Sequence, residues 1–198
     1  MTLSPPLPVS RDGPRPSFSR ALWRIASADV SCGNTVELLT DGPGTFEAML
    51  TLIDEARETL DFEGYIFRRD EMGERFARAF VAAAERGVRV RILVDWFGRL
   101  PTPWSFFRRL RRENLDVRAF NPPGFRAWFG LLPRDHRKVL VADDRCGITG
   151  GIGIGLEWTY GMFRRRRSPW RDTAVRIDGD AAKDLREAFE RMWARARG

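Results

Sequence analysis

Hydrophobic residues recur along the chain at two alternating spacings. Apolar side chains three or four residues apart predict amphipathic helices at about 45–60, 72–83, 103–113 and 185–193. Thr45 is the predicted N-cap of the first helix. Shorter apolar runs are typical of strands, at 36–39, 62–67, 88–95, 115–120, 136–143, 146–151 and 171–177. Because strands alternate with helices, the pattern predicts an α/β fold, in which α-helices flank both faces of a mixed β-sheet.

The first 33 residues differ from the rest of the chain. They are rich in Pro, Ser and Arg and have no apolar periodicity, which predicts a disordered or extended N-terminal tail over 1–33. Residues 34–198 are predicted to form a single domain. A chain of 198 residues with 43% hydrophobic residues is large enough to bury one core.

Positive charge is concentrated in the middle of the chain. Over the whole chain, 34 Arg and Lys oppose 27 Asp and Glu, which gives a net charge of +7. Residues 99–171 hold 16 of the basic and 6 of the acidic residues, a local +10. In the whole chain only Lys138 and Lys183 are lysines, and the other basic residues are arginines. The planar guanidinium suits phosphate, so the distribution indicates a polyanionic partner: nucleic acid, anionic lipid or a phosphate ester. An arginine-rich solvated surface is the alternative explanation.

The chain has a single histidine, His136, and two cysteines. One histidine excludes zinc sites built from two or three histidines and the metalloprotease motif HExxH. Cys32 and Cys146 form no CxxC motif, so neither a disulfide framework nor a thiolate metal site is predicted, and a reducing compartment is the simplest interpretation. No metal ion or organic cofactor is predicted. No apolar run approaches the roughly 20 residues of a membrane span.

One short segment combines residues suited to phosphodiester chemistry. In HRKVLVAD (136–143), His136 and Lys138 are two residues apart, and alternate residues of a strand share a face. An ammonium group neutralises the non-bridging oxygens of a phosphodiester, and a neutral imidazole attacks phosphorus or moves a proton. The sequence TGGIGIG (149–155) follows, with glycines that let backbone N–H groups approach a phosphate. A structural histidine is the alternative interpretation of His136.

The string HRKVLVAD followed by GITGGIGIG resembles the HKD signature of the phospholipase D superfamily: His-x-Lys, four residues, Asp, then a glycine-rich segment. Other segments resemble its bacterial cardiolipin synthase-like branch in order and spacing, namely DGPGTFEAMLTLIDEARETL, FEGYIF, AERGVRVRILVD and PWRDTAVRIDGDAA. The resemblance covers residues 34–195. It implies a phospholipase D-like α/β lobe with one HKD motif.

The resemblance implies a role for each residue that matches the motif. His136 corresponds to the nucleophile that forms a phosphohistidine intermediate, and Lys138 to the residue that binds the phosphate. Asp143 corresponds to the motif aspartate, whose role in the family is largely structural. Asp172, in PWRDT, corresponds to the carboxylate that supports the distal nitrogen of the histidine. The glycines expected to line the phosphate pocket are Gly150, Gly151 and Gly153.

Two departures from the family pattern bear on catalysis. Gly153 stands where the family usually has Asn, so a side-chain donor to the phosphate or the leaving group is missing. Family members also use two HKD motifs, one histidine as the nucleophile and the other to protonate the leaving oxygen. This sequence supplies one histidine, so the second motif is expected from a homodimer partner or from a second lobe outside this sequence.

The resemblance implies a metal-independent phospholipase D-type phosphodiesterase or phosphatidyltransferase that passes a phosphatidyl group to an alcohol or to water. The expected partners are a phospholipid substrate, an anionic membrane surface and a second lobe. The expected location is cytoplasmic, peripheral at the inner membrane. Two alternatives stay open: a homodimeric endonuclease-type phosphodiesterase that acts on nucleic acid, and a non-catalytic lobe that binds phosphate esters or a partner lobe.

An aromatic and arginine-rich stretch precedes the motif, at 96–134. In the predicted helix, Phe106, Phe107 and Leu110 have helical spacing, which favours burial in the core over contact with a membrane. In GFRAWFGLLPR (124–134), exposure near the site entrance is expected, where aromatic rings insert among acyl chains and arginines meet headgroups.

Three other features have both a structural and a functional interpretation. Glu63, in FEGYIF, either reaches the site from a strand end or stabilises the fold. The run Arg164 to Arg167 is either a solvated loop or a contact for a headgroup or nucleic acid. Cys146 is predicted to be a core residue.

Overall fold

The computed structural model describes residues 31–122, 133–159 and 169–196. The strands within these ranges form one sheet: β1 Thr35–Leu39, β2 Thr59–Gly64, β3 Arg89–Asp95, β4 Asp116–Phe120, β5 Val139–Ala142, β6 Cys146–Gly150 and β7 Ala174–Asp178. The α-helices within them are α1 Gly42–Glu55, α2 Glu71–Glu85, α3 Trp104–Arg112 and α4 Ala181–Trp193.

The sheet mixes parallel and antiparallel strands, in the order β1-β7-β6-β5-β2-β3-β4. Strands β2, β3 and β4 are parallel, whereas the pairs β2–β5, β5–β6, β6–β7 and β7–β1 are antiparallel. The carboxyl ends of β2, β3 and β6 therefore lie beside the amino ends of β5 and β7. We call this side of the sheet the His136 end, because His136 directly precedes β5, and the opposite side the Asp143 end, because Asp143 directly follows β5.

Helices cover both faces of the sheet, as predicted. One face packs against α1, α2 and α3 through an apolar cluster that includes Phe46, Phe62, Phe76, Phe80 and Phe107. On the other face, α4 packs against β3 and β4 through a smaller cluster that includes Leu93, Phe120, Phe189 and Trp193. This second face also holds buried charges, because the Arg91 guanidinium lies 2.6 Å from both Asp61 and Glu190 carboxylates.

The first helix begins earlier than the apolar spacing predicts. Its N-cap is Asp41, whose carboxylate accepts the Gly44 N–H at 2.7 Å. Pro43 is tolerated in the first turn because the N–H that it lacks would have no partner within the helix. The predicted N-cap, Thr45, is therefore wrong: Thr45 lies inside the first turn and donates its hydroxyl to the Asp41 carbonyl.

Two predictions about buried side chains are confirmed. Phe106, Phe107 and Leu110 on α3 are buried in the core, and Cys146 on β6 is buried as well. Residues 124–132 of the stretch 124–134, Arg164 to Arg167, and residues 1–30 of the tail predicted over 1–33 lie outside the described residues. Within the described ranges, no helix combines the length and the apolar character needed to cross a membrane.

Candidate active site

Strand register explains why distant parts of the sequence meet at the His136 end. Val139, the first residue of β5, pairs with Glu63 on β2 and with Thr149 on β6. Gly150, at the end of β6, pairs with Ala174, the first residue of β7. Because Asp172 lies two residues before β7 and Lys138 one residue before β5, the register brings the HKD segment, the glycines and PWRDT to the same end of the sheet.

His136 and Lys138 form a close pair at this end. The Lys138 Nζ lies 3.0 Å from the His136 Nδ1 and donates to the His136 carbonyl at 2.6 Å. Their side chains converge as the two-residue spacing predicts, although β5 itself begins only at Val139. His136 is exposed, whereas Lys138 is only 8% exposed. The arrangement presents an accessible imidazole above a buried amine.

Burial also sets the charge properties of the amine. It lowers the pKa of Lys138, while the negative charges of Asp172 and Asp135 raise it and offset part of the effect. A partly desolvated ammonium group attracts a phosphate more strongly than a solvated lysine does, because little water screens its charge, although the two carboxylates offset part of that attraction. Lys138 is therefore suited to bind an anionic oxygen beside His136.

Tyr65 forms a wall of the same site and was missed by the sequence analysis. Its ring centroid lies 4.7 Å from that of His136, and the Lys138 Nζ lies 5.5 Å from the Tyr65 ring centroid. FEGYIF was predicted to be a strand throughout, but β2 ends at Gly64 and Tyr65 lies beyond it. Its position directly after β2, at the same end of the sheet as His136, was the signal that could have predicted Tyr65 as a site residue.

Asp143 lies at the opposite end of the sheet from the other motif residues. Its carboxylate accepts the backbone N–H groups of Arg57, Glu58 and Thr59, each at 2.8 Å. These three hydrogen bonds lower the pKa of Asp143, although burial acts in the opposite direction and is the largest single contribution. Asp143 thus ties the end of β5 to the start of β2 and does not contact His136.

The glycine pair makes room for the PWRDT segment. A side chain at Gly150 would lie 2.4 Å from the Thr173 carbonyl oxygen, and one at Gly151 would lie 2.0 Å from the Asp172 carboxylate. The Gly151 N–H is donated to the Thr173 carbonyl at 3.1 Å. The exposed Asp172 carboxylate accepts the Thr173 N–H at 2.8 Å, and within the described residues no hydrogen bond joins it to His136.

Gly153 lies in a tightly packed position. A side chain there would lie 2.9 Å from the Ile66 Cβ and 2.9 Å from the Trp158 indole. The Trp158 ring therefore occupies the space that the family asparagine would need at this position. Where the family has a side-chain hydrogen-bond donor, this chain has apolar packing against Ile66 and Trp158.

Glu63, for which two interpretations were open, is fully buried at the His136 end. Its carboxyl group is held by Arg137, the residue between His136 and Lys138, with 2.7 Å between Arg137 Nε and Glu63 Oε1. Burial and the neighbouring Asp135 raise the pKa of Glu63 to about 9, in spite of Arg137. Glu63 is therefore tied to the HKD segment through Arg137, and within the described residues no hydrogen bond joins it to His136.

The described ranges contain no group of three His, Cys, Asp or Glu side chains placed to hold a metal ion. A cavity of about 610 Å³ lies at the Asp143 end, between α1, β5, β6 and β7. It is lined by both acidic and basic residues and lies at the opposite end of the sheet from His136. The cavity is therefore not where the His136–Lys138 pair would act.

Comparison with known proteins identifies the family. Residues 49–193 match the family model described as cardiolipin synthase, PLD-like domain. A cardiolipin synthase of Oceanobacillus iheyensis is 34% identical over 163 residues, which are 82% of this chain and 34% of the relative. Cardiolipin synthase A of Pseudomonas aeruginosa is 34% identical over 175 residues, 88% of this chain and 35% of the relative. The chain thus spans about a third of the length of these relatives.

Solved structures agree on the fold. The phospholipase D family member Nuc from Salmonella typhimurium superposes with a TM-score of 0.63 at 21% identity, over 83% of this chain and 97% of Nuc. NucT from Helicobacter pylori superposes with a TM-score of 0.67 at 16% identity, over 84% of this chain and 99% of NucT. At these identities the likeness establishes the fold, while the family model and the curated relatives establish the family. The chain belongs to the PLD-like domain family of cardiolipin synthases, within the phospholipase D superfamily.

Proposed function

We propose that this chain is one lobe of a phospholipase D-type phosphodiesterase or phosphatidyltransferase that transfers the phosphatidyl group of a phospholipid to an alcohol or to water. The observation that carries the proposal is the contact between His136 and Lys138 at the His136 end of the sheet, where Nδ1 and Nζ are 3.0 Å apart. An exposed imidazole provides a nucleophile, and a buried amine beside it provides the charge that a phosphodiester needs.

The proposed reaction has two displacement steps. Lys138 binds the non-bridging oxygens, and the His136 Nε2 attacks phosphorus, so that an N–P bond forms while the bond to the leaving oxygen breaks. A second histidine gives its proton to the leaving oxygen. An acceptor hydroxyl then returns a proton to that second histidine and attacks phosphorus, which releases His136. Neither step needs a metal ion or a cofactor.

The ring proton of His136 has to move for this reaction. With the Lys138 ammonium group donating to Nδ1, a neutral imidazole carries its proton on Nε2, and such a nitrogen is not nucleophilic. We propose that a bound phosphate draws the Lys138 amine away from Nδ1. The ring then exchanges its proton through solvent, losing it at Nε2 and gaining one at Nδ1. The new Nδ1–H group donates a hydrogen bond to the Asp172 carboxylate, and the Nε2 lone pair is free to attack.

The second histidine requires a second lobe. His136 is the one histidine of this sequence, so the leaving oxygen is protonated by a second copy of the chain or by a lobe beyond this sequence. The matched segment covers only about a third of the curated relatives, which leaves room in them for a second lobe. This chain also covers 97% of Nuc and 99% of NucT, so chains of one lobe are a known form of this fold. We propose the homodimer as the active form.

The remaining motif residues are assigned supporting roles. Asp143 is a structural residue, because its three backbone hydrogen bonds lie at the far end of β5. Gly150 and Gly151 line the phosphate pocket and keep the Asp172 segment close to it. Gly153 lines the same pocket without a donor of its own, so Lys138 and the second lobe carry the phosphate contacts.

The proposed location is the cytoplasmic surface of the inner membrane, where the protein binds anionic lipid peripherally. Nucleic acid is the second candidate substrate, and the local charge of +10 over residues 99–171 is the observation that favours it. Binding to nucleic acid depends on released counterions and falls steeply with salt, whereas lipid binding supported by inserted aromatic rings persists.

The test is an assay of the purified chain on vesicles that contain phosphatidylglycerol, on a chromogenic phosphodiester and on DNA, with a chelator present. We expect turnover of the lipid and of the chromogenic diester, at a specific activity that rises with protein concentration as dimers form. Turnover of DNA alone would favour the second candidate. A dimer that binds vesicles and turns over none of the three substrates would support the non-catalytic alternative.

A further inference from the structure

Three buried carboxyl groups lie next to the proposed site, on the sheet face covered by α4. Glu63 at the end of β2 is fully buried, and Asp95 and Asp135 are 1% and 4% exposed. Asp135 directly precedes His136 in the chain. Because a buried carboxylate is costly unless a cation, a proton or several N–H groups compensate it, each of the three needs a partner.

The partners of Asp95 are backbone N–H groups. Its carboxylate accepts from Phe97 at 2.8 Å, from Gly98 at 3.0 Å and, through its other oxygen, from Asp135 at 3.0 Å. Arg134 lies 3.9 Å away and is 35% exposed. Asp95 is thus compensated without the help of Arg137, and it fixes the backbone of Asp135 directly before His136.

Glu63 and Asp135 share one cation. The Arg137 Nε lies 2.7 Å from Glu63 Oε1 and 3.6 Å from Asp135 Oδ1, and its Nη2 donates to Glu63 Oε2 at 3.1 Å and to the Ala188 carbonyl at 2.8 Å. Both carboxyl groups are buried and lie within 3.6 Å of the same guanidinium nitrogen, and two buried carboxyl groups that face one cation are most stable when one of them carries a proton. Arg137 is the cation that contacts both carboxyl groups, and one shared proton would balance the second negative charge; the charge of Lys138 also acts on Asp135.

Within the part of the chain that the structure describes, charged groups on the neighbouring elements also lie near this cluster. They are Arg134 and Lys138 in the motif segment, Asp95 on β3 and, two residues further along the same sheet face, the ion pairs of Asp61, Arg91, Arg186 and Glu190. Those ion pairs compensate one another and leave Arg137 as the cation in contact with Glu63.

We propose that Glu63 and Asp135 share one proton and that this pair, held by Arg137, positions His136 and Lys138. Asp135 and Arg137 flank His136, so fixing both neighbours fixes the backbone carbonyl that accepts the Lys138 amine. Loss of the shared proton places a second negative charge beneath the site and separates the two carboxyl groups. The shared proton and the positioning of His136 do not depend on the proposed function. The inference rests on that function in one respect, the reaction that the positioned residues would carry out.

The test is a titration by NMR from about pH 5 to about pH 11, on the full chain with ¹³C-labelled glutamate carboxyl carbons and labelled histidine. His136 gives the only imidazole signals, because the sequence has one histidine. One glutamate is expected to titrate near pH 9, and the His136 signals are expected to shift in the same step. The glutamate label separates this step from titration of Lys138.

Variants show which glutamate is responsible for the titration step near pH 9. Glu63→Gln reproduces the donor and the acceptor of a protonated acid, so both the glutamate step and the His136 shift near pH 9 are expected to disappear. Glu190→Gln, which removes an arginine-bound carboxylate from the same sheet face, is the control and should leave both in place. If Glu63→Gln fails to fold, Asp135→Asn serves instead and should move the glutamate step to lower pH.

The outcomes separate this inference from the proposed function. Glutamates that all titrate in the ordinary acidic range would overturn the shared proton. A glutamate step that His136 does not follow would overturn the positioning role. A step that His136 follows in a protein without turnover would support the positioning pair and contradict the proposed reaction instead. In an active protein, turnover should fall through the same step in wild type and not in Glu63→Gln.

Discussion

The two ends of β5 carry residues of one motif but are built in different ways. At the Asp143 end, one carboxylate is held by three backbone N–H groups and lies away from His136. At the His136 end, an exposed imidazole contacts a buried amine beside the buried carboxyl groups of Glu63 and Asp135, and burial raises the pKa of Glu63. The first arrangement adds stability, whereas the second lowers stability and holds in place the pair that we propose to be reactive. The four buried residues of β5 thus connect Asp143 at one end of the motif to the His136–Lys138 pair at the other.

The largest expected effect is on turnover at the His136 end. His136→Ala removes the proposed nucleophile, so phosphodiester turnover should fall by about 10³-fold or more. Because His136 is exposed, the free energy of unfolding should change by no more than about 0.5 kcal/mol. Activity assays and chemical denaturation check the two parts, and Arg145→Ala, an exposed residue at the Asp143 end, is the control. Unchanged turnover in His136→Ala would remove the basis for the proposed reaction.

The next effect is on stability at the Asp143 end. Asp143→Ala removes the acceptor of three backbone N–H groups and should lower the free energy of unfolding by about 2–4 kcal/mol. Asp144→Ala is the matched control, because both residues have a positive φ, 53° and 55°, while Asp144 is paired with Arg186 near the surface. Denaturation with urea measures both variants. Equal losses in the two would mean that the three hydrogen bonds add nothing beyond backbone strain.

The pH dependence of stability should differ in sign between the two ends. The folded-state pKa of Asp143 is lowered, so its stabilisation is present above the unfolded pKa near 3.8 and is lost as the pH falls below it. The pKa of Glu63 is raised from 4.5 to about 9, so its contribution is complete below pH 4.5 and is lost as the pH rises towards 9.

Two variants measure this difference by denaturation across pH. The stability gap between wild type and Asp143→Ala should narrow in acid. Glu63→Gln should gain stability relative to wild type as the pH rises, by at most about 1.4 kcal/mol per pH unit. A gap for Glu63→Gln that stays constant between pH 5 and 9 would show that Glu63 is ionised in the folded protein throughout.

The smallest expected effect concerns Gly153. Gly153→Asn restores the residue type that is usual in the family, but the new side chain meets Ile66 and Trp158 at 2.9 Å. We expect a loss of about 1–3 kcal/mol in stability from overpacking, with no gain in turnover. Activity and thermal unfolding check this expectation. A rise in turnover would show that the Trp158 ring moves aside and that the missing donor limits this chain.

The order of strands and helices could be predicted from the sequence because it depends on local apolar spacing. The runs at 88–95 and 103–113 differ from β3 and α3 by only a residue at their ends. Boundaries were missed where a side chain or a backbone bond outweighed that spacing, as at Asp41 in the N-cap of α1. The exposure of 124–132 near the site remains a prediction.

The site could be predicted only in part, for a related reason. His136 and Lys138 are two residues apart, so their meeting follows from strand geometry. Tyr65 and Glu63 belong to a different strand, and their place beside the pair depends on the β2–β5 register. Acidic residues in an otherwise apolar strand were a signal, but spacing alone does not tell which partner compensates them.

The most direct test of the account is a search for the covalent intermediate. The wild-type chain is mixed with a labelled phosphodiester, quenched in alkali, in which phosphohistidine survives, and analysed by mass spectrometry. We predict that the label resides on the peptide that contains His136, and the sequence has no other histidine to confuse the assignment. A protein that turns over the diester while the label resides on another residue, or on none, would contradict the assignment of His136 as the nucleophile.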